Sequence, residues 1–214
     1  MRMITMYNIK IFNAGKDDLK EVFAVFSNAF VNEGISSYIF DFSKKKSKKV
    51  FSRLNMIIGE LYLAEGNQIL AAKSENKIVG SAILAKDYEL SDAELFKHIL
   101  SKDIALLASV LCRLNFIRAY KVHKASKKPD KLPDKFMTLD MLAVDPAYQN
   151  QSIGTQLLNK VHKIAEESGE YKGVYLITGE KENEELYQYF GYKTIEVKKA
   201  SKLNIYHMFR ENSN

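Results

Sequence analysis

The chain has 214 residues, 46% of them hydrophobic and 27% charged, which suits one substantial core and argues against a disordered or low-complexity protein. Its apolar runs fall short of the roughly 18 residues that a membrane-crossing helix needs, and the opening Met1–Asn8 lacks the long apolar run and small-residue cleavage site of a secretory leader. The formal net charge of +6 favours anionic ligands, but the 12 Tyr and 12 Phe lie inside apolar periodic segments rather than between Lys and Arg, so no nucleic-acid surface is expected.

In chain order, Tyr7–Phe12 alternate as a first strand, and Asn13–Asp17 turn the chain. Asp17 or Asp18 is expected to cap a helix whose apolar positions are Leu19, Val22, Phe23, Phe26 and Phe30, with Gly34 ending it. A second helix over residues 45–63 puts Val50, Leu54, Ile57, Ile58 and Leu61 along one stripe. Gln68–Ser74 and Lys77–Lys86 read as a hairpin joined at Glu75 and Asn76. Helical spacing returns over residues 92–100 and 104–120. Cys112 lies among apolar neighbours in the latter and is expected in the core. As the single cysteine it forms no internal disulfide, which fits a reducing cytoplasm. The polar stretch Lys121–Lys135, with Pro129 and Pro133, reads as a loop over a site. The lysine clusters at 44–49 and 121–128 read as solvated surface.

The second half is more regular. Phe136–Val144 is an apolar strand stopping at Asp145-Pro146, and a helix follows over Ile153–Ser168 with Leu157, Leu158, Val161, Ile164 and Ala165 inward and Gly169 near its end. Val174–Thr178 is a strand, Glu184–Phe190 a short helix ended by Gly191, and Thr194–Lys198 with Asn204–Phe209 a final antiparallel pair. No repeat or linker interrupts this order, so residues 1–214 are expected to form one domain, a mixed sheet with helices on both faces.

The chemistry concentrates where Leu139–Val144 passes through a short polar turn into the helix at Ile153. The first turn of a helix presents backbone N–H groups and the positive end of the dipole, and so attracts an anion. Gly154 removes a side chain there. From the turn alone, a phosphate site and a chance glycine both stay open. The chain has neither a P-loop nor a G-x-G-x-x-G turn. His98, His123, His162 and His207 are scattered, without H-E-x-x-H and without paired cysteines, so no metal is expected.

Two segments are more specific. One is Gln149-Asn150-Gln151-Ser152-Ile153-Gly154, preceded by Leu142-Ala143-Val144-Asp145-Pro146. The other is Asn183-Glu184-Glu185-Leu186-Tyr187-Gln188-Tyr189-Phe190-Gly191-Tyr192. Together they resemble the two motifs of the GCN5-related N-acetyltransferase (GNAT) superfamily, and the order of elements matches along nearly the whole chain. The resemblance implies the acyl-CoA N-acyltransferase fold, an α/β architecture whose mixed sheet splays between strands 4 and 5. It also implies acetyl-coenzyme A as acetyl donor.

On that resemblance the main chain of Leu142, Ala143 and Val144 pairs with the pantetheine arm. The backbone of Gln149, Asn150, Gln151, Ser152, Ile153, Gly154 and Thr155 meets the pyrophosphate, and Asn183 caps its helix or touches the arm. Tyr187 matches the tyrosine that protonates the departing sulfur. Asp140, a carboxylate inside an apolar strand, is either a structural group or a base whose pKa burial raises. Tyr189 should face elsewhere. Ser152 departs from the family's first glycine: with φ below zero it could cap the helix, with φ above zero it is strained. The implied reaction is direct attack by a primary amine, on a small molecule or a peptide, in a ternary complex, with a backbone N–H near Leu142 steadying the oxyanion. A non-catalytic acyl-CoA-binding sensor on the same fold is the alternative. The acceptor pocket should lie among the first two helices, the Pro-bearing loop and the last hairpin, with Phe26, Phe30, Tyr38 and Tyr120 as aromatic walls or core. A monomer or homodimer is expected, without nucleic acid or membrane.

Overall fold

The computed structural model describes residues 9–86 and 92–213. Met1–Asn8, on which the leader expectation rests, and with them the first two residues of the expected opening strand, lie outside them. Seven strands form one sheet in the order β1-β2-β3-β4-β5-β7-β6. They are β1 (Ile9–Asn13), β2 (Gln68–Ser74), β3 (Lys77–Ala85), β4 (Met137–Val144), β5 (Gly173–Thr178), β6 (Lys193–Ala200) and β7 (Leu203–Glu211). All neighbours are antiparallel except β4 and β5. The parallel ladder holds only two residue pairs, Met137 with Val174 and Thr138 with Tyr175, so the sheet splits beyond them as expected.

Helices cover both faces. On one, α7 (Ile153–Glu167) and α8 (Lys181–Tyr189) join the sheet in a cluster built on Leu157, Leu158, Val161 and Ala165, with Tyr192 from the chain after α8. On the other, α1 (Leu19–Phe30) buries Leu19, Val22, Phe23 and Phe26, with α3 (Ser47–Ala64) beside it. Each such side chain contributes about 1.5–3 kcal/mol of burial. The helices α4 (Asp92–Lys102) and α5 (Ile104–Leu111) pack on α3, not on the sheet. Among the described residues no helix is long and apolar enough to cross a membrane.

Several expectations fail, some for local and some for tertiary reasons. Gly34 does not simply end a helix: it opens α2 (Gly34–Ile39), because the Glu33 carboxylate accepts the N–H groups of Ile35 and Ser36 at 3.0 and 2.7 Å. Asp18 does not cap α1 forward: its carboxylate accepts the Gly15 N–H at 2.9 Å. The helix expected over residues 104–120 breaks after Leu111, where Phe40 and Leu114 form a β-bridge and Asn115 caps α6 (Phe116–Ser126) through the Arg118 N–H. The first six residues of the expected 121–135 loop are therefore helix, held by Val122 and Ala125 against Ala200 and Ile205. Cys112 caps the end of α5 and is exposed rather than in the core.

One irregularity positions the site. The β3–β4 register passes from Ile83 opposite Met141 to Leu84 opposite Leu139, which leaves Asp140 as the extra residue of a bulge. Alternation changes phase there. Met137 and Leu139 before the bulge, and Leu142 and Val144 after it, all pack with α7, whereas Met141 and Ala143 pack with α1.

Candidate active site

The end of β4 is pinned before the polar turn begins. Asp145 donates its N–H to Val79 O at 2.8 Å, and its carboxylate accepts Ala147 N–H at 3.0 Å and Lys77 Nζ at 3.1 Å. Pro146 opens a 3-10 turn, and the chain then reaches α7 through two left-handed residues, Asn150 (φ 62°) and Ser152 (φ 59°). Ser152 therefore makes no capping bond through its hydroxyl, and the strained alternative is the one realised. The first α7 hydrogen bond runs from Gln156 N–H to Ser152 O, so the N–H groups of Ile153, Gly154 and Thr155 precede the helical ladder. No acidic side chain lies in that first turn to offset the dipole.

A cavity of about 690 Å³ opens at this turn. Leu142, Ala143, Val144, Gln149, Asn150, Ser152, Ile153, Gly154, Thr155, Asn183 and Tyr187 all line it. Gln151 does not, and its Oε1 is buried without a hydrogen-bond partner. Gln149 leans back on the strand, with Nε2 at 3.5 Å from Val144 O. A Cβ built on Gly154 would meet only Val144 Cγ2, at 3.6 Å, an ordinary contact. The protein's own packing does not demand glycine there.

On α8, Tyr187 faces the cavity and Tyr189 is 85% exposed, as expected. Asn183 does not open the helix, which starts at Lys181; its amide donates to Glu180 Oε2 at 2.9 Å. The other Glu180 oxygen accepts the Gly34 N–H at 3.0 Å, tying the start of α2 to the start of α8 across the cavity rim. The helix ends in a Schellman motif: Gly191 (φ 86°) donates to Gln188 O and Tyr192 to Tyr187 O. Burial first, then the Glu33 carboxylate, pushes the Tyr187 phenol up to about 12, so it keeps its proton at neutral pH. Its ring stands edge-on to Tyr192 at 5.5 Å, and Tyr192 Oη lies 3.1 Å from His162 Nε2. Burial, then the charge of Arg210, lowers His162 to about 4, so the ring that shares a hydrogen bond with Tyr192 is neutral at pH 7.

Asp140 is elsewhere. The bulge turns it outward, so the burial expected to make it a strong base is not present. It lines a second cavity of about 630 Å³ with Tyr62, His123, Lys127, Lys128, Thr138 and Tyr175. Below this cavity lies a fixed hydrogen-bond chain. His207, fully buried, uses Nε2–H on Ala125 O at 2.8 Å, so Nδ1 accepts the Tyr175 hydroxyl at 2.6 Å. Burial lowers the His207 pKa and favours this neutral form. Of the aromatic walls suggested by sequence, Phe30 lines the first cavity, Phe26 is core, Tyr38 stacks on Arg118 and Tyr120 is exposed. Among the described residues no group of three or more His, Cys, Asp or Glu could hold a metal.

Sequence reasoning missed Glu33, Glu180 and the second cavity. Glu33 sits beside a glycine that reads as a stop, and the Glu180–Gly34 contact spans 146 positions, so only the folded chain exposes either.

The model of the acetyltransferase (GNAT) family matches residues 33–192. No protein of curated function matches the chain. Among solved structures, a histone acetyltransferase HPA2 and related acetyltransferase from Corynebacterium glutamicum superposes with a TM-score of 0.61 at 18% identity, over 96% of this chain and 97% of that one. The protein yncA from Salmonella typhimurium, solved with its cofactor acetyl-CoA, gives 0.57 at 13% identity, over 96% and 95%. The ribosomal-protein-S18-alanine N-acetyltransferase from Escherichia coli gives 0.53 at 14% identity, again over 96% and 95%. At these identities the structures speak for the fold, and the family model, covering most of the chain, for descent: this chain belongs to the GNAT family of acetyltransferases, whose general activity is acyl transfer from acetyl-coenzyme A.

Proposed function

We propose that the protein is an N-acetyltransferase that moves the acetyl group of acetyl-coenzyme A to a primary amine by direct attack. The observation that carries this reading is the convergence of both sequence motifs, from the β4–α7 turn and from α8, on one cavity. Its volume lies in the range of small-molecule sites. Beyond Thr138 the β4 ladder with β5 has ended, which suits main-chain pairing of Leu142–Val144 with an extended arm, as an added strand pairs. The N–H groups at the start of α7 suit a pyrophosphate, and the space above Gly154 suits its close approach.

The donor supplies the acetyl group as a thioester. Tyr187 holds a proton at Oη for the sulfur that departs, and its raised pKa keeps that proton in place until charge develops nearby. The acceptor enters through the second cavity, where Asp140 takes the ammonium proton directly or through water. Calorimetric titration with acetyl-coenzyme A, followed by an amine and peptide panel scored for release of free coenzyme A, tests the reading. Saturable binding and turnover of at least one amine are expected. Tight binding with no turnover would favour an acyl-CoA sensor, and absence of binding would end the proposal.

A further inference from the structure

We propose that the protein docks peripherally on an anionic lipid surface through the corner where α5 meets α6. Charge is unevenly placed along the chain. Residues 42–59 and 104–129 hold 12 of its 32 Lys and Arg and none of its 26 Asp and Glu, so the rest of the chain is net negative. The fold lays these two stretches side by side. Lys44 Nζ donates to Cys112 O at 2.5 Å, and the Arg113 guanidinium donates to Lys45 O at 2.9 Å and to Ser47 Oγ at 3.0 Å. The Asp41 N–H meets Arg113 O at 2.9 Å, next to the Phe40–Leu114 bridge. From this seam Lys45, Lys46, Lys48 and Lys49 project on one side and Lys121 and Lys124 on the other, all exposed. Among the described residues none of these six is ion-paired, so their charge is available to a partner.

The same corner exposes large apolar side chains. α5 has no charged residue: Leu106 and Val110 are buried, while Ile104, Ala105, Ala108 and Leu111 are exposed. A helix apolar on all sides is normally covered. Four residues later α6 begins, with Val122 and Ala125 buried and Phe116, Ile117 and Tyr120 exposed by 56%, 71% and 67%. Side chains so open stand on a crest, whereas those lining a groove for a peptide are partly covered. A crest of aliphatic and aromatic groups flanked by lysines suits the headgroup layer of an anionic bilayer. The apolar groups insert, and the ammonium groups meet lipid phosphates. Nucleic acid would use the lysines and the rings but leave Ile104, Leu111 and Ile117 against water. A second copy would bring the lysines of one molecule against those of the other. The contact is peripheral, since no helix among the described residues is long and apolar enough to cross a membrane.

The test is co-sedimentation of the full chain with vesicles of phosphatidylcholine alone or mixed with phosphatidylglycerol. Binding to the mixed vesicles is expected to exceed binding to the neutral ones by roughly tenfold or more, and to weaken as salt is raised. Phe116→Ser combined with Ile117→Ser should cut binding to the mixed vesicles by roughly tenfold, as should Lys45→Gln combined with Lys48→Gln and Lys49→Gln. These side chains are exposed or half-exposed, so the thermal midpoint should stay close to wild type. A second readout keeps the crest apolar. The chain has no tryptophan, so Phe116→Trp places a single reporter there, and its emission should move to the blue on the mixed vesicles only. No binding, equal binding to both vesicles, binding that ignores the Phe116 and Ile117 changes, or an unmoved emission overturns the inference. Tighter binding to an RNA or DNA oligonucleotide than to the mixed vesicles, at equal phosphate, overturns it in favour of nucleic acid. A dimer in gel filtration that the Phe116 and Ile117 changes dissociate overturns it in favour of a second copy.

Discussion

Acidification should loosen this fold through His162. The ring is 6% exposed, with its Nε2 at 3.1 Å from Tyr192 Oη and Arg210 close by. Burial first, and the Arg210 charge second, bring it from an ordinary 6.5 to about 4, against a smaller opposing pull from Glu166. A histidine held neutral in the fold is protonated more readily in the unfolded chain. Its contribution is therefore complete above about pH 6.5 and is lost as pH falls toward about 4. At about 1.4 kcal/mol for each pH unit, that window amounts to about 3 kcal/mol, a large part of the roughly 5–15 kcal/mol by which a domain is stable. His162→Gln keeps a hydrogen-bonding group, able to donate or accept, beside Tyr192 and removes the titration. Urea unfolding of both proteins at about pH 7 and about pH 4 isolates the term, because the carboxylates and His207 are common to both. The wild type should lose about 3 kcal/mol more than the variant across that range. Parallel losses would show that the ring is not held neutral.

Four further outcomes are expected. Tyr187→Phe removes only the hydroxyl, so turnover should fall roughly tenfold to a thousandfold with acetyl-coenzyme A affinity kept; equal rates across pH would remove Tyr187 from the chemistry. Gly154→Phe should weaken acetyl-coenzyme A binding by roughly tenfold or more in calorimetry, about 1.4 kcal/mol, while the thermal midpoint stays close to wild type; unchanged affinity would put the pyrophosphate elsewhere. Ser152→Gly should stabilise the protein by about 0.5–1 kcal/mol in urea unfolding, since the left-handed backbone penalises a side chain; a loss of stability would mean that the serine side chain makes up for its backbone. Asp140→Asn should slow turnover most at low pH, where less of the amine is already deprotonated, and a uniform loss across pH would make the carboxylate a binding group alone.

How much was legible follows the distance over which each feature is determined. The β4–α7 unit is local. Asp145-Pro146 stops the strand, the apolar spacing of Leu157, Leu158 and Val161 marks the helix, and the turn between them has nowhere else to go. The α8 end was readable for the same reason, since Gly191 closes it within its own last turn. The sequence did not show the second cavity, which needs β4, β5, α3 and α6 in one place. Nor did it show that Asp140 is an added residue. An acid in an apolar strand suggests burial, and only the register against β3 turns it outward. Cys112 failed in the opposite direction: apolar neighbours suggested core, but the helix ends there and leaves it at the surface. The lysines of α6 concealed a helix because its inward face is only Val122 and Ala125.

The short β4–β5 ladder also has a mechanical meaning. It divides the sheet into two plates, β1–β4 and β5–β7–β6, stitched by two residue pairs. Tension applied near the two ends of the chain, through β1 and β7, would have to cross that seam. Elsewhere the strands are laced by longer antiparallel ladders, which share a load among many bonds. What bridges the seam is chiefly α7, whose Leu157, Leu158 and Val161 lie in one cluster with Leu139 on one plate and Val174 and Leu176 on the other. The helix acts as a clasp of side chains over a joint nearly without stitching. The width of the cleft is then set by apolar side-chain contacts more than by hydrogen bonds between strands.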